Sequence, residues 1–193
     1  LLNWFNGDGK GGGMPSARGA SDASELTRQR SKLVASLAAI RPDVAALMEV
    51  ENDGYGKDSA LAQLVDALNA QLADGGDYRA VDPGTPQLGG DDIAVAMIYR
   101  AGRLRAVGKP AAPAGGAFAA FNRLPLAQAF EPLAGGSRFV VVANHWKSKS
   151  GCAEAGAGDQ DQGDGQGCYN ARRVDAAREL SDWLADDPTG SGS

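Results

Sequence analysis

Apolar positions along the chain change period several times, and each change marks an expected element. Leu1-Leu2-Asn3-Trp4-Phe5 reads as the end of a strand with a polar amide inside it. Residues 6–23 are rich in Gly, Asp and Ser, include Pro15, and read as a loop. Ser24 is placed to cap a helix in which Leu26, Leu33, Val34, Leu37 and Ile40 recur at helical spacing, closed by Arg41-Pro42. Residues 44–48 form a short apolar strand running into Glu49-Val50-Glu51-Asn52. A second helical stripe follows at Leu61, Leu64, Val65, Leu68 and Leu72.

Residues 78–81 and the run Ile93, Val95, Met97, Ile98 and Tyr99 predict two more strands, and residues 103–107 another. Residues 110–120 are Ala, Gly and Pro rich and are expected to be an exposed linker. A strand through Phe130 follows, then Phe139 to Ala143, too short for a helix and apolar throughout. In the last helix Val174, Ala177, Ser181 and Leu184 are expected to share a face near Leu180 and Trp183, after which residues 186–193 dissolve into a tail. Strand, helix, strand and helix, then several close strands, imply mixed sheets flanked by helices.

The 193 residues hold 43% hydrophobic side chains, enough for one core. A net charge of −5 argues against a generally basic nucleic-acid coat but leaves room for a local basic cleft. No apolar run approaches the ~20 residues that span a bilayer, and nothing at Leu1 resembles a signal peptide. The chain is expected to begin inside a longer precursor. Cys152 and Cys168 flank a Gly- and Asp-rich loop. They are either a disulfide, implying an oxidising compartment, or two reduced thiols; the flexible surroundings favour the disulfide. Asp159, Asp161 and Asp164 in that loop fall short of the EF-hand spacing for Ca²⁺.

The candidate chemistry sits where strands end. Asn144 and His145, the single histidine, follow an apolar strand and precede Lys147 and Lys149. An imidazole suits proton transfer near neutral pH. Glu49 likewise follows a strand, and a hard cation such as Mg²⁺ is held by one or two carboxylates with waters retained. Arg123 offers a bidentate fork for phosphate. Each alone is equally read as a solvated strand-end residue, and Asp91-Asp92 as a turn.

Order and context go further. Asn3-Trp4-Phe5, Gln29-Arg30-Ser31-Lys32, Leu47-Met48-Glu49-Val50-Glu51-Asn52, Asp91 before Ile93, Asn122-Arg123-Leu124-Pro125-Leu126, Asn144-His145-Trp146-Lys147-Ser148-Lys149 and the block 161–170 follow one another. This series resembles the endonuclease/exonuclease/phosphatase superfamily, whose fold is that of pancreatic-type deoxyribonuclease, and is most similar to its bacterial extracellular nucleases. Leu124 stands where a second Pro is usual. The resemblance implies an α+β fold of two mixed β-sheets packed as a sandwich, with helices on the outer faces in four αββα layers. It implies metal-dependent phosphodiester hydrolysis of DNA or RNA by a secreted, monomeric protein with no membrane partner, using Mg²⁺, with Mn²⁺ or Ca²⁺ as substitutes.

By position, Asn3 and Glu49 would hold the metal, and Arg123, Asn122 and Lys147 the phosphate. His145, Asn144 and Asp91 would be catalytic, Asp91 (or Asp92) orienting the imidazole. The family's later Gly-Asp-x-Asn and Asp-His strand ends have no match here. Residues 1–193 are therefore expected to be one domain, incomplete at its C-terminus, with little activity alone and some apolar surface uncovered. A phosphatase, a phospholipid phosphodiesterase or a non-catalytic truncated copy remain as alternatives.

Overall fold

The computed structural model describes residues 1–8, 18–120 and 122–192; residues 9–17 of the expected loop, Pro15 among them, and Ser193 of the tail lie outside these. The elements are α1 (Ala23–Ile40), β1 (Val44–Glu51), α2 (Ala60–Gln71), β2 (Tyr78–Ala80), β3 (Ile93–Arg100), β4 (Leu104–Ala111), β5 (Leu126–Pro132), β6 (Phe139–Ala143) and α3 (Asn170–Ala185).

Two three-stranded sheets form, in the orders β1-β3-β2 and β4-β5-β6. The strands within them pair antiparallel. A parallel bridge from Trp4 to Val50 adds the mixed character at the edge of the first sheet. Four layers result. α1 and α2 cover the outer face of the first sheet, where Val34, Leu37, Leu61, Leu64 and Leu68 meet Leu47, Ala96 and Ile98. Val95 and Met97 point from the opposite face of β3 toward Leu104, Leu126 and Phe130 of the second sheet. This two-sided burial explains why β3 is apolar at nearly every position. Ala176 and Leu180 of α3 close the outer face of the second sheet with Phe118 and Val142. Among the described residues no helix is long and apolar enough to cross a membrane.

Local details depart from the pattern reading. The first helix is capped by Asp22, not Ser24: the Asp22 carboxylate accepts from the Glu25 amide. Asp22 and Glu25 have capping-box spacing, which outweighs a serine two residues further in. Leu2 and Asn3 are not strand: both have left-handed backbone, with φ of 58° and 51°. The stretch 110–120 is not an open linker. β4 extends to Ala111, and Phe118 is buried against α3, because that helix presents an apolar face. The face of α3 is also rotated from the expected one, leaving Val174 exposed and burying Ala176 and Leu180. The tail does not dissolve. The Lys109 amide donates to the Thr189 carbonyl, Arg138 donates to the Ser191 carbonyl, and Thr189 and Ser191 are buried. Gly108, at φ 68°, permits this approach, since any Cβ there would run into the Thr189 carbonyl.

The first segment is locked by Trp4, which is 1% exposed and donates from its indole to the Ala60 carbonyl at 2.9 Å. Beside it, Glu51 is buried, accepts from the Asn6 amide at 3.0 Å through Oε2, and has no partner at Oε1 among the described residues. Burial, opposed by that hydrogen bond and assisted by Asp53 and Asp8, pushes its carboxyl up to about 7.

A raised carboxyl pKa stabilises the fold fully below the unfolded value of ~4.5, and the effect is lost as pH rises through about 7. Denaturant melts in chelator should therefore weaken between those limits by an amount on the order of 3 kcal/mol. Glu51→Gln should remove that part of the slope; an unchanged slope would contradict the assignment.

Candidate active site

Glu49 is aimed by an irregularity in β1. Leu47 pairs with Ala96 and Val50 with Ala94, so two residues of β1 oppose one of β3. This is a bulge, a device that turns a side chain out of the ladder. Glu49 adopts φ 63° there, a conformation costly for a side chain with a Cβ and kept only when its surroundings enforce it. The enforcement is visible. The Trp4 amide donates to the Glu49 carbonyl at 2.8 Å, and the Glu51 amide returns a bond to the Trp4 carbonyl at 2.9 Å. The Asn3 amide donates to Glu49 Oε2 at 3.1 Å. Gln29 of α1 in turn donates to the Leu2 carbonyl at 2.8 Å, which fixes the left-handed pair ahead of Trp4.

His145, one residue beyond Asn144 at the end of β6, brings Nε2 to 4.0 Å from Glu49 Oε1. The two groups come from different sheets and meet at one edge of the sandwich. The imidazole is three-quarters covered and its Nδ1 has no hydrogen-bond partner among the described residues. Burial, helped by the Arg123 charge and opposed by Glu49, holds its pKa below the ordinary value. The ring is therefore neutral at pH 7.

Arg123 is tied to the same edge, its amide donating to the His145 carbonyl at 3.3 Å. Its Nη2 donates to Asp91 Oδ2 at 3.0 Å, while Nε is buried without a partner among the described residues. Asp91 also accepts from Arg18 Nη1 at 2.9 Å and from the Ile93 amide at 3.2 Å. Burial alone would raise the Asp91 carboxyl, but the Ile93 amide and the Arg123 and Arg18 charges outweigh it and hold it below the usual range. Asp91 thus holds two guanidinium groups, and the carboxylate nearest the imidazole is Glu49 rather than Asp91. The Asp92 carboxylate lies 3.8 Å from Arg18 Nε.

The remaining site residues buttress this edge. Asn122 uses its whole carboxamide on backbone, donating to the Ala117 carbonyl at 2.8 Å and accepting from the Lys147 amide at 2.9 Å. Asn144 donates to the Val142 carbonyl and accepts from the Trp146 indole. Lys147 lies over the Tyr169 ring, Nζ 4.2 Å from its centroid. Lys149 donates to the Gly165 carbonyl in the cysteine loop. Cys152 and Cys168 are joined as a disulfide with Cα atoms 5.5 Å apart. Arg173 donates to the carbonyls of Lys147, Cys168 and Gln166, strapping that loop to the segment after His145. The loop's aspartates are engaged within the protein. Asp159 pairs with Arg172 at 2.6 Å, and Asp161 and Asp164 accept from loop amides. That arrangement does not make a Ca²⁺ cage.

Asp91, Asn122, Arg123 and Lys147 line a cavity of about 540 Å³; Glu49 and His145 do not line it, though Arg123 joins the two. The donor set fits a hard cation. Glu49 presents Oε1, and the Asn3 side chain makes no hydrogen bond among the described residues. One carboxylate and one amide oxygen are what Mg²⁺ takes while keeping waters. No group of three or more His, Cys, Asp or Glu suited to a metal occurs among the described residues.

Sequence reasoning did not find Arg18, which sat in an expected loop with no periodic or motif signal. Gln29 was visible within the Gln-Arg-x-Lys run, but its grip on Leu2 needed the fold.

No family model matches the chain, and no curated protein matches it. Among solved structures it is similar to the human Nocturnin catalytic domain with bound sulfate anion, at 18% identity and a TM-score of 0.47. The match covers 82% of this chain and 52% of that one, so the chain spans about half the length of that structure.

Because His145 is the single histidine, its ring protons report the site cleanly. In chelator, proton NMR should place its pKa below ~6.5. Glu49→Gln should lower it further, and Arg123→Gln should raise it, following the signs of the two charges. Opposite movements would show that the imidazole does not sit between them.

Proposed function

We propose that the chain binds a nucleic-acid phosphodiester at this edge and serves its hydrolysis with a divalent cation. The observation that carries the proposal is the meeting of Glu49 and His145 at 4.0 Å, with Arg123 tied to the His145 carbonyl alongside. The ordered resemblance to the endonuclease/exonuclease/phosphatase superfamily supports the same reading.

Glu49, with the Asn3 carboxamide, would hold Mg²⁺, or Mn²⁺ or Ca²⁺ in its place. Bound there, the cation would neutralise charge developing on the phosphoryl oxygens and polarise them. Arg123 would bind a nonbridging phosphate oxygen through its guanidinium, held in orientation by Asp91, which accepts from its Nη2. The neutral imidazole of His145 would donate a hydrogen bond to the phosphate or hold a proton near the leaving oxygen. Asn122 and Asn144 would fix the backbone on either side of His145. Lys147 would add backbone-phosphate attraction that falls as salt rises.

We assign the wider setting in the same way: a secreted, monomeric nuclease similar to bacterial extracellular enzymes, with DNA or RNA as substrate and the Cys152–Cys168 disulfide suited to an oxidising compartment. The water-activating acid that the resemblance implies has no match within these 193 residues, so hydrolysis by them alone is expected to be slow. Acid-soluble nucleotides would mark a nuclease; free phosphate would mark a phosphatase of the same superfamily.

Binding is the direct test. Fluorescence titration of a labelled oligonucleotide should give an affinity that weakens steeply with salt. Arg123→Gln should weaken it by roughly 10- to 100-fold at low salt, the worth of a charge-assisted hydrogen bond. Equal binding by wild type and variant would remove the phosphate role of Arg123.

A further inference from the structure

The cavity beside Arg123 does not end at its polar wall. Leu88, Gly89, Gly90, Phe118, Ala119 and Leu124 line it and also line a second cavity of about 460 Å³. Together they make one groove that is cationic at the Arg123 and Lys147 end. Its other end is apolar, walled by Pro83, Ala112 and Pro113. We propose that this apolar end seats the nucleobase of the nucleotide whose phosphate Arg123 and Lys147 hold. The proposal rests on the phosphodiester reading above and adds the part of the substrate recognised beyond the phosphate.

Three features of the groove select this occupant. The first is continuity: a phosphate and a planar apolar ring in one ligand match a cationic end joined to an apolar end by shared walls. The second is room. Gly90 needs no glycine for packing, since a Cβ there would meet nothing within 4 Å, and Ala119 is exposed with ordinary helical φ of −69°. Small side chains thus leave space over a floor of Leu88, Phe118 and Leu124. The third is polarity. The groove is open to solvent and its walls expose glycine and alanine backbone. A flat ring with polar edges leaves those amides wet or paired, whereas an acyl chain would desolvate them without partners.

The groove should accept all four bases. The polar side chains near its apolar end turn donors to backbone, Gln87 to the Asn52 carbonyl and Thr85 to the Gln87 carbonyl. Contact with the ring face, which every base has, is sequence-tolerant.

The test uses the chain in chelator, so that binding is read without hydrolysis. Two probes with equal phosphate number are compared, a single-stranded tetranucleotide and its fully abasic analogue. Face contact is worth roughly 5- to 100-fold in affinity per base, so wild type should bind the base-bearing probe at least about 5-fold more tightly. Ala112→Trp and, separately, Ala114→Trp, at positions that line only the apolar end, should erase that preference while leaving abasic affinity unchanged, with thermal melts confirming that each variant is folded. Equal binding of the two probes by wild type overturns the groove assignment but not the phosphodiester reading. So does a preference that survives both tryptophan variants. Binding of neither probe overturns both readings. Tighter binding of a short-chain phospholipid than of the tetranucleotide assigns the groove to lipid and overturns the proposal.

Discussion

The structure depends on one strained residue. Glu49 sits in left-handed backbone in the middle of a strand, where the ladder would otherwise turn its side chain to one sheet face. Such a conformation costs on the order of 1–3 kcal/mol and persists only under constraint. The constraint is a short parallel contact from Trp4, whose indole is anchored on the Ala60 carbonyl at the start of α2. The core that buries Trp4 thereby determines where a carboxylate stands at the opposite end of the chain's logic, beside His145. Packing of α1 and α2 and the chemistry at the sheet edge are coupled through three residues of backbone.

A second network sets the charge at that edge. Asp91 is shared by Arg18 and Arg123, which keeps it ionised and fixes the Arg123 fork. The Arg123 charge and burial together disfavour protonation of His145, against the pull of Glu49. A chain with an overall charge of −5 thus carries a locally cationic wall at Arg123 and Lys147. Local charge, not net charge, is what a phosphate meets.

Much of the fold was legible in the sequence, because burial demands periodicity. The stripe Leu61, Leu64, Val65 and Leu68 marks a helix with one buried face, and β3, apolar throughout, marks a strand covered on both sides. A strand end also marked His145, whereas Glu49, read as following a strand, lies inside one because β1 runs on to Glu51. Other features depend on long-range contact that no local pattern encodes. Phe118 in an Ala/Gly/Pro stretch is buried only because α3 offers a seat, and Thr189 is buried only because Gly108 lets its carbonyl approach. The bulge at Glu49 has no residue signature, since Met48 and Glu49 are ordinary strand neighbours. The partner of Asp91 followed from neither spacing nor motif: resemblance pointed it at the imidazole, whereas the fold brings two guanidinium groups to it.

The central claim is that Glu49 holds a divalent cation within reach of the lone imidazole. Paramagnetic Mn²⁺ tests it most directly, added at substoichiometric levels while the His145 ring resonances are observed by proton NMR. The account predicts selective broadening of those resonances, reversed by excess Mg²⁺ and absent in folded Glu49→Gln. Sharp His145 lines in wild type under saturating Mn²⁺, or equal broadening in the variant, would contradict it.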